Sequence, residues 1–388
     1  MTEKLYYADP FLTDFTATIL SCEEGKDGWQ VALDRTAFYP EGGGQPSDTG
    51  VFQDGRSGDI RVIHVRDREG RILHLCDRPV AVGTEVTGRV DFPARFDHMQ
   101  QHSGEHIVSG IICRRYGCEN VGFHLGKEAV MIDFNAPIPP EDLPLIEQEA
   151  NQYIWQDRAV EIELLSGAAL AAKSYRSKRE IPGEVRIVTF PQADCCACCG
   201  THVLRAGQVG FVRLLNCQKL REGVRIELLC GQRAANYCAA VADQNTKISQ
   251  LLSAKPLATF SAVDRQHREL AALRTRLLAL EEENFSRRAA ELKGRGDVVL
   301  FQPDMAPDSL RRLCDTVLTS CGGRCAIFAG DDDAGYKYAI GDTVGDVRPL
   351  VKALNEALGG RGGGKPHFAQ GSVQGTKEAI ETVFASIS

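Results

Sequence analysis

The chain has 388 residues, 43% of them apolar and 25% charged, with a formal net charge of −7 at pH 7. That length exceeds one ordinary core and predicts two or three domains, and the composition is that of a globular protein with a negative balance that disfavours a coat of nucleic acid but leaves room for a local basic surface. No apolar run approaches the ~18 residues of a membrane span, and Met1–Tyr7 lacks the basic-then-apolar start of a signal peptide, so a cytoplasmic chain with no membrane partner is expected.

Residues 1–92 alternate short apolar runs with turn chemistry. Trp29–Leu33, Ile60–Val65 and Arg71–Leu75 have the period of two expected of strands, and Gly-rich or Asp-Gly breaks separate them, as in a small β-barrel or sandwich. Near Asp91-Phe-Pro the character changes. Residues 94–116 carry a helical pattern, Val130–Phe134 a strand, and a helix follows Pro140. Strands resume at 185–190, 209–215 and Arg225–Leu229, which makes residues 93–233 an α+β domain.

Residues 234–293 hold few strand signals, and Pro256 divides them into two helical stretches. In the second, Val263, Leu270 and Leu277 recur every seven residues with Leu273 and Leu280 between them, and Asn284 takes the next equivalent position. About three heptads is the lower limit of a coiled coil. The stretch is therefore a helical linker, packed on its own domain or forming a homodimer seam. After Gly294, strands at Val298–Phe301, Cys325–Phe328 and Lys337–Ile340 alternate with helices at 307–319, 346–358 and 375–386. Residues 294–388 thus predict a small α/β domain.

In a reducing compartment the 14 cysteines are thiols rather than disulfides, and clustered ones are metal or redox candidates. His102-Ser-Gly-Glu-His106 sets two imidazoles one turn apart on a helix face. Such pairs are common on exposed helices. The stronger signal is Cys195-Cys-Ala-Cys-Cys-Gly-Thr-His202, because a thiolate and an imidazole beside two more imidazoles form the mixed N/S set that zinc prefers. No second C-x-x-C pair completes a ribbon, so the pattern implies one Zn2+ per chain held between two distant segments. Cys198 and His202 repeat the four-residue step, although spacing alone leaves Cys195, Cys196 and Cys199 open. Glu105 directly precedes the second histidine and so points about 100° away on the helix. It is expected to face solvent or to support a ligand rather than to act as a general base.

A third motif, Asp34-Arg-Thr-Ala-Phe-Tyr-Pro-Glu-Gly-Gly-Gly-Gln-Pro46, follows a strand. Its glycines Gly42, Gly43 and Gly44 permit positive φ and close approach of a ligand, or simply a tight loop between strands. It has neither the P-loop nor the dinucleotide spacing.

Together these segments resemble the alanyl-tRNA editing family, in its free-standing, long AlaX form. Thr36-x-Phe38-Tyr39 with Gly43-Gly44-Gln45 is similar to that family's glycine-rich motif, and His102-x-x-x-His106 and Cys198-x-x-x-His202 to its two metal motifs. Cys199 stands where that motif usually has glycine, while the Gly200-Thr201-His202 register favours Cys198. Gly362-Gly-Gly-Lys-Pro366 with Phe368-Ala-Gln-Gly371 resembles the terminal domain shared by alanyl-tRNA synthetases and DHH phosphoesterases. Phosphoesterase chemistry is not expected, since Asp97-His98-Met99 is no Asp-His-His cluster.

The resemblance implies a zinc-dependent hydrolase that removes serine, and in some members glycine, from mischarged alanine tRNA. It implies Thr36 and Gln45 as catalytic-site residues, with Thr36 bonding the serine hydroxyl. Arg361 and Lys365, in a flexible glycine run, are expected to contact tRNA phosphates. Four protein ligands fill a tetrahedral shell, the count of a structural zinc. Water activation then needs a fifth position or a loose ligand, whereas shaping the pocket needs neither. A non-catalytic tRNA-binding protein with a structural zinc, or another zinc-dependent ester or amide hydrolase, is the alternative.

Overall fold

The period-two alternation of the N-terminal segment closes into an antiparallel barrel. Its strands run in the order Asp14–Gly25, Gly28–Leu33, Arg71–Cys76, Ile60–Arg68, Gly50–Gln53, Glu85–Val90. Glu85–Val90 pairs on one side with Asp14–Gly25 and on the other with Gly50–Gln53. This closure settles barrel over sandwich and leaves no free edge. Ile60 and Val62 and, past a bulge, Val65 turn inward, around Phe38 and Phe52.

The protein was studied as a computed structural model, which describes residues 1–55, 58–177 and 182–386. Two units are separable, Met1–Thr246 and Lys247–Ser388.

In the first unit the barrel leads into the helix Phe92–Tyr116. Asp91 caps it by accepting from the Ala94 N–H, Pro93 occupies its first turn, and Gly117 ends it in the left-handed conformation at φ 62°. This order of Asp, Pro and Gly is what helix termini favour. Nearly every residue from Met99 to Ile112 is buried, so the helix lacks a solvent face along that stretch. A four-stranded antiparallel sheet, ordered Val212–Lys219, Val224–Cys230, Val130–Phe134, Asn120–Leu125, packs with it. Gln101 serves that sheet like a missing strand: its Nε2 donates to the Cys230 carbonyl and its Oε1 accepts from the Cys230 N–H, both at 2.8 Å. A three-stranded sheet of Glu161–Leu165, Val185–Phe190 and Asp194–Ala197 completes the unit.

Barrel and helix are joined by a fully buried ion pair. Arg95 donates from Nε to both Asp48 oxygens, at 2.8 and 2.9 Å, and also to the carbonyls of Pro10 and Ala37. Asp48 accepts from the Tyr39 N–H as well. Every polar atom of the pair that the barrel hides thus has a partner, which is the condition for tolerating buried charge.

The second unit contains one long helix, Thr259–Glu291, and a five-stranded sheet ordered Gly296–Gln302, Gly322–Asp331, Gly335–Gly341, Phe368–Val373, Arg361–Lys365. The first pair is parallel and the others antiparallel. Phe285, Ala289 and Leu292 enter its core at the end of the long helix, whereas Leu270, Leu273, Leu277 and Leu280 are exposed. The glycine run differs from expectation. Arg361–Lys365 is an edge strand paired with Phe368–Val373, not a flexible loop. Missing side chains make this possible, because a Cβ at Gly362 would collide with the Tyr338 hydroxyl. Among the described residues no helix is long and apolar enough to cross a membrane.

Candidate metal centre

The helix Phe92–Tyr116 delivers His102 and His106 one turn apart, with ring centroids 5.2 Å from each other. The hairpin of Val185–Phe190 and Asp194–Ala197 then carries the chain past Cys198 to His202. Donor atoms of His102, His106, Cys198 and His202 all lie within 4.8 Å of one another. Cys198 Sγ is 3.5 Å from His102 Nε2 and 3.3 Å from His202 Nε2. Gly200 is required between them: a Cβ there would overlap the His102 ring and stand 2.8 Å from Gln45 Oε1.

The outer ring nitrogens are all engaged. His102 Nδ1 donates to Gln45 Oε1 at 2.9 Å, and His106 Nδ1 to Asp194 Oδ2 at 2.7 Å. His202 Nδ1 lies 3.2 Å from Ser103 Oγ. Arg176 grips Asp194 in turn, through Nε at 2.7 Å and Nη2 at 2.8 Å. Fixing Nδ1–H in this way sets the tautomer and leaves Nε2 as the inward donor, the usual outer-shell arrangement of a metal-binding histidine.

Electrostatics point the same way. Burial pushes the Cys198 thiol up, but the surrounding imidazoles, His102 foremost, outweigh it through charge and hydrogen bonding and hold the group well below the ordinary thiol range. Burial lowers His202 to about 3, so its imidazole is neutral. Burial also works against a charged His106, yet its bond to Asp194 leaves it well above the usual imidazole range; that proton must leave before Nε2 can bind a metal. Three imidazoles and a thiolate are a donor set that fits one zinc-like cation.

A cavity of about 590 Å³ opens beside these donors, lined in part by Gly43, Gly44, Phe123 and Arg176. Gly44 adopts φ +85°, and a Cβ there would approach Phe123 Cδ1 to 2.6 Å. Phe123 stacks on His102 with centroids 4.7 Å apart. Glycine, aromatic ring and ligand therefore form one packed layer.

The anticipated residues divide. Gln45 is wholly buried, and its amide is spent on the metal motifs. Its Oε1 also accepts from the Thr201 N–H at 3.1 Å, and its Nε2 donates to Thr201 Oγ1 at 2.8 Å. Thr36 faces the barrel interior, not the cavity. His74 Nδ1–H donates to the Val31 carbonyl at 3.1 Å, and burial lowers its pKa to about 4, so the ring is neutral and Nε2 accepts the Thr36 hydroxyl proton at 2.9 Å. The Phe38 N–H donates to Thr36 Oγ1 at 3.1 Å. In this arrangement the hydroxyl proton is committed to His74 and one lone pair to the Phe38 N–H.

Gly43 and Gly44 line the cavity, and Gly42 closes the turn by exchanging backbone bonds with Gln45. Cys199 is exposed and 3.9 Å from the Tyr39 hydroxyl, while Cys195 meets Thr189. Cys196 groups with His106 and Asp194 rather than with the three histidines. Glu105 does not face solvent: it is 4% exposed and accepts from Ser109 Oγ and Asn120 Nδ2. Arg361 and Lys365 lie on the exposed edge strand of the second unit.

Five contributors were not anticipated from sequence: Asp194, Arg176, Ser103, Asn120 and Phe123. Only Asp194 carried a signal, as an acid directly before the cysteine cluster.

Residues 8–94 match the family described as class II (A) tRNA synthetases, 185–227 the threonyl and alanyl tRNA synthetase second additional domain, and 296–388 the DHHA1 domain. The alanyl-tRNA editing protein AlaX-L of Pyrococcus horikoshii is 28% identical, over 98% of this chain and 96% of that one. The editing protein Aarsd1-A of Xenopus laevis is 27% identical, over 96% and 94%. An alanine–tRNA ligase of Pyrococcus abyssi is 32% identical over 98% of this chain, which spans 43% of the ligase.

Proposed function

Because this chain is related along nearly its whole length to alanyl-tRNA editing proteins, we propose that it is a trans-editing hydrolase that deacylates serine, with glycine as second substrate, from mischarged tRNA(Ala). The observation that carries the reading is the His102, His106, Cys198 and His202 cluster at a cavity bordered by the glycine turn. A cavity of this size suits a small ligand such as an aminoacyl group on its terminal nucleoside. The need is physical. A pocket for alanine excludes glycine weakly, and rejects an added hydroxyl only about a hundredfold, so a second hydrolytic sieve is useful.

Bound zinc supplies Lewis-acid polarisation and a fixed positive charge beside the ester. The chain does the rest. Gln45 and Phe123 hold the His102 ring, Arg176 and Asp194 hold His106, and Gly43-Gly44 let the backbone come close to the substrate.

Deacylation of Ser-, Gly- and Ala-charged tRNA(Ala) by the intact protein tests the reading. Expected is a preference for Ser over Ala of about 100-fold or more, lost with chelator and restored by zinc. No turnover by zinc-loaded protein would leave a tRNA-binding protein with a structural metal. Equal turnover of a simple amino-acid ester without tRNA would indicate a general hydrolase.

Residues 294–388 are assigned to tRNA binding on this reading. Arg361 and Lys365 are four positions apart on one strand, so they project from one face, about 13 Å apart along it. Changing both to alanine should raise KM for Ser-tRNA(Ala) roughly tenfold with kcat unchanged, and lower the salt dependence of binding by about one unit of slope per lost contact. An unchanged salt slope would remove these two residues from the interface.

A further inference from the structure

Two acceptor atoms beside the cavity are left over from the donor cluster. Glu105 and Asn120, 4% and 6% exposed, both line it. Glu105 Oε1 accepts from Ser109 Oγ and from Asn120 Nδ2, each at 2.6 Å. Among the described residues Glu105 Oε2 accepts nothing. Asn120 Nδ2 also donates to Ser109 Oγ at 2.8 Å, and its Oδ1 is buried without a partner. The amide orientation is fixed by chemistry, since a carboxylate only accepts and must face the nitrogen.

The cavity's only described arginine or lysine is Arg176, and it is committed to Asp194 through two hydrogen bonds. Glu105 therefore lines the cavity with one carboxylate oxygen unpartnered, beside the buried and unpartnered amide oxygen of Asn120. Burial of this kind is costly unless a donor arrives. The complementary ligand is cationic and donor-only. A primary ammonium meets both conditions, with three N–H groups and no acceptor.

An aminoacyl ester carries such a group on the carbon adjoining its carbonyl. We propose that Glu105, with Asn120, anchors the α-ammonium of the aminoacyl group and so sets the ester carbonyl against the metal donors. The assignment of the ligand as an aminoacyl group rests on the deacylase reading; selectivity for an amine does not. A rival role for Glu105 is to balance the charge of the metal, and the experiment separates the two.

Intact, zinc-loaded protein would be titrated calorimetrically at pH 7 with two hydrolysis-resistant ligands: adenosine bearing 3′-amide-linked serine, and the same compound with hydroxyl in place of the α-amine. An α-amino group titrates near 7.7–8.0, so the amine is largely charged there. The wild type should bind the amine at least about tenfold more tightly, as charge-assisted hydrogen bonds predict. Glu105→Gln should bring the two affinities together while keeping one zinc per chain, and Asn120→Ala should narrow the gap.

Equal wild-type affinities, or binding of neither ligand, overturn the proposal without any variant needing to fold. It is also overturned if Glu105→Gln sheds zinc but retains the amine preference. Amine preference without Ser-tRNA(Ala) hydrolysis would sink the deacylase reading and leave the anchor standing; hydrolysis without the preference would do the reverse.

Discussion

His106→Ala is expected to lose the metal and the deacylation together. The substitution removes one of four converging donors and leaves Asp194, which now bonds His106 at 2.7 Å and Arg176 at 2.7 and 2.8 Å, without its imidazole. Outer-shell partners alone are worth about 10–100-fold in metal affinity, so a direct donor should cost more. If the ion contributes several kcal/mol to stabilising the transition state, its loss slows single-turnover hydrolysis by about 10³-fold. Metal content by plasma emission and deacylation of Ser-tRNA(Ala) would be read on the same sample. Asp194→Asn should fall between this variant and wild type in both. Full hydrolysis by metal-free His106→Ala would remove the metal from the reaction.

The largest loss of stability is expected at Arg95. Its side chain and that of Asp48 are both 0% exposed, so Arg95→Met leaves a carboxylate in the interior without its counter-charge. Removing one partner of such a pair costs about 3–5 kcal/mol. For a unit of this size that corresponds to a fall in Tm of roughly 6–20 °C. Arg114 and Glu149, at 52% and 41% exposure, give the contrast: their pair is worth about 0–1 kcal/mol. Thermal melts of both variants provide the check, and adding Asp48→Asn to Arg95→Met should recover part of the loss. A shift at Arg95 no greater than at Arg114 would refute the argument.

What sequence could and could not convey is clearest at the helix Phe92–Tyr116. Its length, ends and paired histidines follow from local rules: an Asp cap, an early proline, a terminating glycine and a four-residue step. Its surroundings do not. Glu105 was expected to face solvent or to support a ligand because it points away from the histidine face, and the helix is covered on that side too. Gln100, Gln101, Ser103 and Ser109 are polar residues that local rules would leave in solvent, yet all are buried and bonded.

The same limit applies at Thr36 and Gln45. The glycine turn beside them was legible, since Gly44 needs a positive φ. Which of their atoms remain free depends on His74 and Thr201, residues 38 and 156 positions away. At the C-terminus, local composition misled. Three glycines in sequence suggested a loop, whereas the neighbouring strand supplies the pairing and Tyr338 the reason for small residues.

The first unit has two separate apolar cores, one inside the barrel and one around the helix. Their division would ordinarily let one half melt before the other. Yet Arg95 reaches from the helix into the barrel's carbonyls, and Gln45 reaches from the barrel's turn to His102 and Thr201. Opening either core strands buried polar atoms belonging to the other. The two should therefore behave as a single cooperative body, with one calorimetric transition whose van't Hoff and measured enthalpies agree.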